Sequence, residues 1–133
     1  MVRLALVAAV FAGCVAAASP AAPTAGSDTT VPLTIIPGHD ALVTEAVFAP
    51  GQEIKPHRHL GLEVAYLIEG ETTFQLENER GRTIRPGESV TIAAGTYHRA
   101  KAGPAGAKLI IFRLHPHGQP LRIPPDRPVN FPE

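Results

Sequence analysis

Residues 50–70 read PGQEIKPHRHLGLEVAYLIEG. Within this stretch His57 and His59 stand one residue apart, and Glu63 follows on the far side of Leu60-Gly61-Leu62. In an extended strand, residues i and i+2 point to the same face. His57 and His59 therefore project two imidazoles into one space. Imidazole and carboxylate are both ligands for divalent first-row metals. Gly61 lets the chain bend into the next strand, so Glu63 can aim at the same point from a neighbouring strand. A further ligand has to come from far away in sequence, and His98, after the turn Ala94-Gly95-Thr96, is the candidate.

The surroundings read as short strands. ALVTEAVFA (41–49), LEVAYLIEG (62–70), ETTFQLE (71–77), RTIR (82–85), ESVTIAA (88–94), YHRAKA (97–102) and AKLIIFRL (107–114) are rich in β-branched or aromatic residues. Gly, Pro or Asn bounds them, with turns expected at Pro50-Gly51, Glu69-Gly70 and Pro86-Gly87. No window of helical length beyond the N-terminus carries an apolar stripe of helical period. This pattern predicts an all-β sandwich or barrel.

With these residues in place, the sequence resembles the cupin family, in particular small single-domain cupins of the cupin 2 type. Pro50-Gly51, His57, His59, Glu63 and Gly70 match the motif P-G-x5-H-x-H-x3-E-x6-G at every fixed place. Gly87, Gly95 and His98 match the second motif, G-x5-P-x-G-x2-H-x3-N, in register; Ala93 replaces its proline and Ala102 its asparagine. The resemblance covers residues 33–114. It implies a double-stranded β-helix, or jelly-roll barrel, with one metal ion held by His57, His59, Glu63 and His98. Fe, Mn, Ni and Cu suit such a ligand set, and Zn is compatible with it. In many cupins the counterpart of Glu63 also shuttles a proton.

Alternation carries the reading outward. If Glu63 faces in, so do Ala65 and Leu67, while Val64, Tyr66 and Ile68 face out. If His98 faces in, Ala100 follows and Arg99 turns to the exterior. The resulting pocket is apolar around the metal, with no inward Arg or Lys to clamp an anionic ligand. Glu45 and Gln75 are expected at solvated positions, His39 in a turn, and His115 and His117 exposed in a Pro-rich tail.

Composition bounds the rest. The 133 residues suffice for one domain, and 12 basic side chains balance 12 acidic ones, so no nucleic-acid footprint is expected. Residues 1–18, MVRLALVAAVFAGCVAAA, have the grammar of a secretory signal peptide. Cleavage fits either before Ser19 or at a lipobox-like Phe11-Ala12-Gly13-Cys14, where Cys14 would carry a lipid anchor. Residues 19–32 read as a flexible spacer, 33–114 as the domain, and 115–133 as a tail that packs as an extended arm or stays loose. The expected function is an exported, periplasmic or extracellular, metal-dependent enzyme on a small oxygenated molecule, of dioxygenase or isomerase/lyase type. The competing expectation is a non-catalytic module that binds or senses a small ligand. Tyr66 and the apolar strand 107–114 suggest a homodimer.

Overall fold

The computed structural model describes residues 25–32 and 36–133. The expected signal segment, with Cys14 and Ser19, lies outside the described residues. Seven strands run in chain order: β1 (Ala25–Pro32), β2 (His39–Phe48), β3 (Glu53–His57), β4 (Leu62–Leu76), β5 (Arg82–Ile84), β6 (Ser89–Ile92) and β7 (His98–Pro116). All pair antiparallel, in the order β1-β2-β7-β4-β5, with β3 on β7 and β6 on β4. No helix occurs among the described residues. The architecture is the double-stranded β-helix expected from the sequence.

Two long strands organise it. β4 and β7 are each a merger of two runs that read as separate strands. Gly70 explains the first merger. It adopts φ 77°, and the β4–β7 register shifts on either side of it. The glycine bends the ladder as a bulge and does not end it. Glu69-Gly70 is thus a corner inside a strand of 15 residues, not a turn. A Cβ on Gly70 would meet the Gly106 carbonyl oxygen of β7 at 2.0 Å, so both long strands bend where their backbones touch. Gly61 has the same use with a different cause. A Cβ there would lie 1.6 Å from the Leu114 oxygen, so close strand approach, not bending alone, requires a glycine.

The extended run expected at His57 begins earlier, at Glu53. Its sequence EIKPH is charged and contains Pro56, which lacks the N–H a ladder needs. The β3–β7 register is irregular between Ile54 and His57, around that proline. Part of the expected spacer is also strand, because Ala25–Pro32 pairs with β2 from Pro32↔Asp40 to Ala25↔Ala46.

Alternation in β4 runs as predicted: Glu63, Ala65 and Leu67 are buried and Tyr66 and Ile68 are exposed. In β7 one parity is buried from Ala107 through Leu109, Ile111 and Arg113 to His115. Leu67 and Leu109 face each other across the ladder with no exposed surface. Around them Phe48, Phe74, Ile84, Ile92 and Ala102 complete the core. Burying one such side chain contributes about 2 kcal/mol. The interior is therefore graded, apolar at Leu67 and Leu109 and polar at Glu63, Arg113 and the histidines.

Candidate metal centre

Strand register brings the polar end together. His57 of β3 is the direct cross-strand partner of His98 in β7. Glu63 of β4 is the direct partner of Arg113 in β7. His59 lies just past β3, where its carbonyl accepts the Gly95 N–H at 2.8 Å and ties the two motifs to each other. One ring nitrogen from each of His57, His59 and His98 lies within 4.8 Å of the others. Ring centroids are 4.4–5.3 Å apart, and all three residues are buried.

The hydrogen bonds fix which nitrogen faces inward. His57 Nδ1 lies 2.8 Å from the Lys55 carbonyl oxygen, His98 Nδ1 lies 3.0 Å from that of Thr96, and His59 Nδ1 contacts that of Leu121. A carbonyl only accepts, so each Nδ1 carries the proton and donates. Each Nε2 then faces the shared space, as a lone pair wherever the ring is neutral. Fixing a histidine's tautomer through its second nitrogen is how proteins prepare imidazole for a metal. His59 Nε2 is buried without a hydrogen bond although Glu63 Oε2 is only 2.8 Å away. So short a contact suits a ring nitrogen and a carboxylate oxygen that share one cation between them. These donors fit a divalent transition metal.

Glu63 sits at the edge of the histidine cluster. Its Oε1 is 4.0 Å from His98 Nε2, and its Oε2 accepts a 2.7 Å hydrogen bond from Arg113 Nε. Arg113 also donates to Thr44 Oγ1 at 3.3 Å. Arg113 corrects the expectation of a pocket without inward cations. Strand parity carried the signal, since Arg113 shares its face with Leu109 and Ile111. Burial pushes the Glu63 carboxyl upward, but the neighbouring His59 ring and the Arg113 guanidinium reverse this and hold it at about 2. Burial, then the nearby His98, press His57 down to about 4, and burial likewise lowers His98. At neutral pH His57 and His98 are thus neutral imidazoles near an ionised, arginine-paired carboxylate.

The other sequence-singled residues fall as follows. His115, expected exposed, is buried at the end of β7 with Nε2 at 3.0 Å from the Gln119 carbonyl. The Pro-rich composition after it concealed that the strand runs on to Pro116. His117 is exposed and meets Asp40 Oδ2 at 2.9 Å. His39 opens β2 after the Pro37-Gly38 turn. Glu45 pairs with Lys108 on the surface at 3.1 Å. Gln75, expected in solvent, is buried and binds Arg99 and the Pro132 carbonyl outside the cluster. At the departures from the second motif, Ala102 packs in the apolar core, and the turn Ala93–Thr96 forms without proline through a 3.1 Å backbone bond.

The tail is an arm that reaches the cluster. Arg58 and Ile123 exchange backbone hydrogen bonds of 2.9 and 3.0 Å, and Leu121 supplies the carbonyl that orients His59. Tyr97 donates to Asp126 at 3.0 Å, and the Asn78 N–H to the Asn130 carbonyl at 2.9 Å.

A β-helix with three converging histidines defines a class, the cupins with a potential metal site. Comparison bears out the membership: the family model described as cupin domain matches residues 44–112, and the chain belongs to that family. Among solved structures, a protein with a double-stranded β-helix domain from Klebsiella pneumoniae is 20% identical with a TM-score of 0.55, over 81% of this chain and 89% of that one. Lactobacillus farciminis oxalate decarboxylase, in a formate complex, is 21% identical with a TM-score of 0.57, over 75% of this chain and 32% of that one. The DMSP lyase DddQ of Ruegeria pomeroyi is 18% identical with a TM-score of 0.55, over 65% and 43%. These likenesses establish the fold. No curated protein matches.

Proposed function

We propose that this cupin is an exported, metal-dependent enzyme acting on a small oxygenated molecule, of dioxygenase or isomerase/lyase type. The observation that carries the reading is the set of three buried imidazoles whose Nδ1 atoms are all tied to carbonyls, leaving the three Nε2 atoms convergent. His57, His59 and His98 would hold Fe, Mn, Ni, Cu or Zn, with Glu63 as the further ligand. When bound, such an ion supplies Lewis-acid chemistry at substrate oxygens. The chain's own residues prepare that chemistry. The Leu121, Lys55 and Thr96 carbonyls hold the rings in place, and Arg113 holds and charges Glu63. Export rests on the signal grammar of residues 1–18, with Cys14 or Ser19 as the mature terminus.

One observation favours the second reading, a non-catalytic binding or sensing module. A carboxylate held at about 2 is a weak base at neutral pH, so Glu63 is poorly suited to shuttle protons. Elemental analysis of untagged protein, followed by turnover assays on diols, keto acids and hydroxy acids, separates the alternatives. The enzyme reading expects close to one ion per chain and turnover of at least one substrate. His98→Ala is expected to lower metal affinity by about 10-fold or more. Wild-type protein that retains no ion under any loading condition removes both metal readings. Tight ligand binding without turnover selects the module.

A further inference from the structure

Arg122 is the residue on the arm that the description of the centre leaves unused. Its neighbours are both fixed, Leu121 through His59 and Ile123 through Arg58. It lines a cavity of about 390 Å³ together with His57, Lys55, Pro56 and Pro124. Arg113, Arg99 and Arg127 are held by Glu63, Gln75 and Glu77. Arg122 has no hydrogen bond or ion pair among the described residues. Its side chain is exposed, as at an open mouth, yet protein surrounds it closely enough for Arg113 and Glu63 to act on its charge.

The guanidinium leaves room for an anion. Glu63, the buried carboxylate of the cluster, is already engaged by Arg113. Glu53, in the same cavity, is engaged by Lys101 at 3.1 Å. Neither neutralises Arg122, and a cation on the histidines would add to the excess of positive charge beside it. A single planar guanidinium fork matches the two oxygens of a planar carboxylate. The same fork also pairs with phosphate, so inorganic phosphate is the competitor that separates the two anions.

We propose that Arg122, carried to the mouth of the cup by the C-terminal arm, forms beside His57 a subsite for a small carboxylate ligand, with the guanidinium as its donor. This deepens the reading of the metal centre by assigning its substrate an anionic group, and it rests on that reading only for placing the group beside a metal ligand. The arm therefore does two jobs: Leu121 orients a ligand histidine and Arg122 selects by charge.

Calorimetric titration of malonate, neutral malonamide and inorganic phosphate into the full chain, metal-free and Mn(II)-loaded, tests this. Malonate is expected to bind at least 10-fold tighter than neutral malonamide, because only the anion forms a charge-assisted bidentate pair, and tighter than phosphate. Arg122→Gln is expected to lose about 10-fold or more of that affinity in both forms, and Arg122→Lys to lose less. Arg99→Gln, whose side chain is engaged by Gln75, should bind like wild type. Elemental analysis of each variant reports metal content separately. A wild type that takes up no Mn(II) sinks the metal reading alone, because the metal-free titration still decides about Arg122. The subsite is overturned if Arg122→Gln binds malonate as wild type does, if malonamide or phosphate matches malonate, or if wild type binds no malonate.

Discussion

Protonating His57 means placing a cation in a buried site beside two other imidazoles. Its folded value of about 4 lies below the ordinary 6.5, so in metal-free protein the unfolded chain takes up the proton first. The unfolded state then binds more protons across this window, and stability rises with pH. Metal-free protein is therefore expected to keep its full stability above about 6.5 and to lose it as pH falls towards 4. His98, also lowered by burial, adds in the same direction. Thermal unfolding against pH reads this, and His57→Gln should flatten the slope; an unchanged slope refutes the assignment. Arg113 invites a second test. Its side chain and that of Glu63 are 4% and 3% exposed, so removing one partner strands a buried charge. Arg113→Met is expected to cost about 3–5 kcal/mol in urea unfolding. A loss below 1 kcal/mol would mean the pair is better hydrated than its burial implies.

At the scale of the strand, alternation separates neighbours sharply. Leu67 is fully buried and Tyr66, next to it, is 45% exposed. Leu67→Ala is expected to destabilise by about 3 kcal/mol, through lost transfer energy and the cavity left behind. Tyr66→Ala should cost under about 1 kcal/mol in the isolated chain. Equal losses would place β4 in another register. Period-2 patterning made the two faces of β4 and of His98–Ala102 legible in advance. Where strands end was harder to read. Gly70 carries the local signature of a turn, and only its fit against Gly106 makes it a corner within a longer strand. The start of β3, before His57, was hard to read because Pro56 is a ladder breaker, while the β7 ladder supplies the pairing that overrides it.

The whole molecule presents an apolar outer face. Val43, Phe112 and Val64 lie in one cross-strand row, Tyr66 pairs with Ile110, and Ile68 and Val47 extend the patch. Contiguous exposed apolar surface of this kind marks an interaction site. We expect a homodimer through this face, with light scattering near twice the 14.0 kDa chain mass, less any cleaved leader. Phe112→Glu should shift the protein to monomer while leaving metal content unchanged. A monomeric wild type at high concentration removes the dimer. The arm belongs to this scale too, because it joins residues more than 50 positions apart in sequence, Gln75 to Pro132 and His59 to Leu121.

The sequence by itself determined the β class, the family and three histidines that meet, because strand periodicity and ligand spacing are local and the two cupin motifs lie in register. The partner of Glu63, the burial of His115 and the arm over the centre were decided only in three dimensions. Arg113, Leu121 and Arg122 carry no motif of their own. What they do depends on which strand or loop lies opposite, and that is settled by packing the whole chain at once.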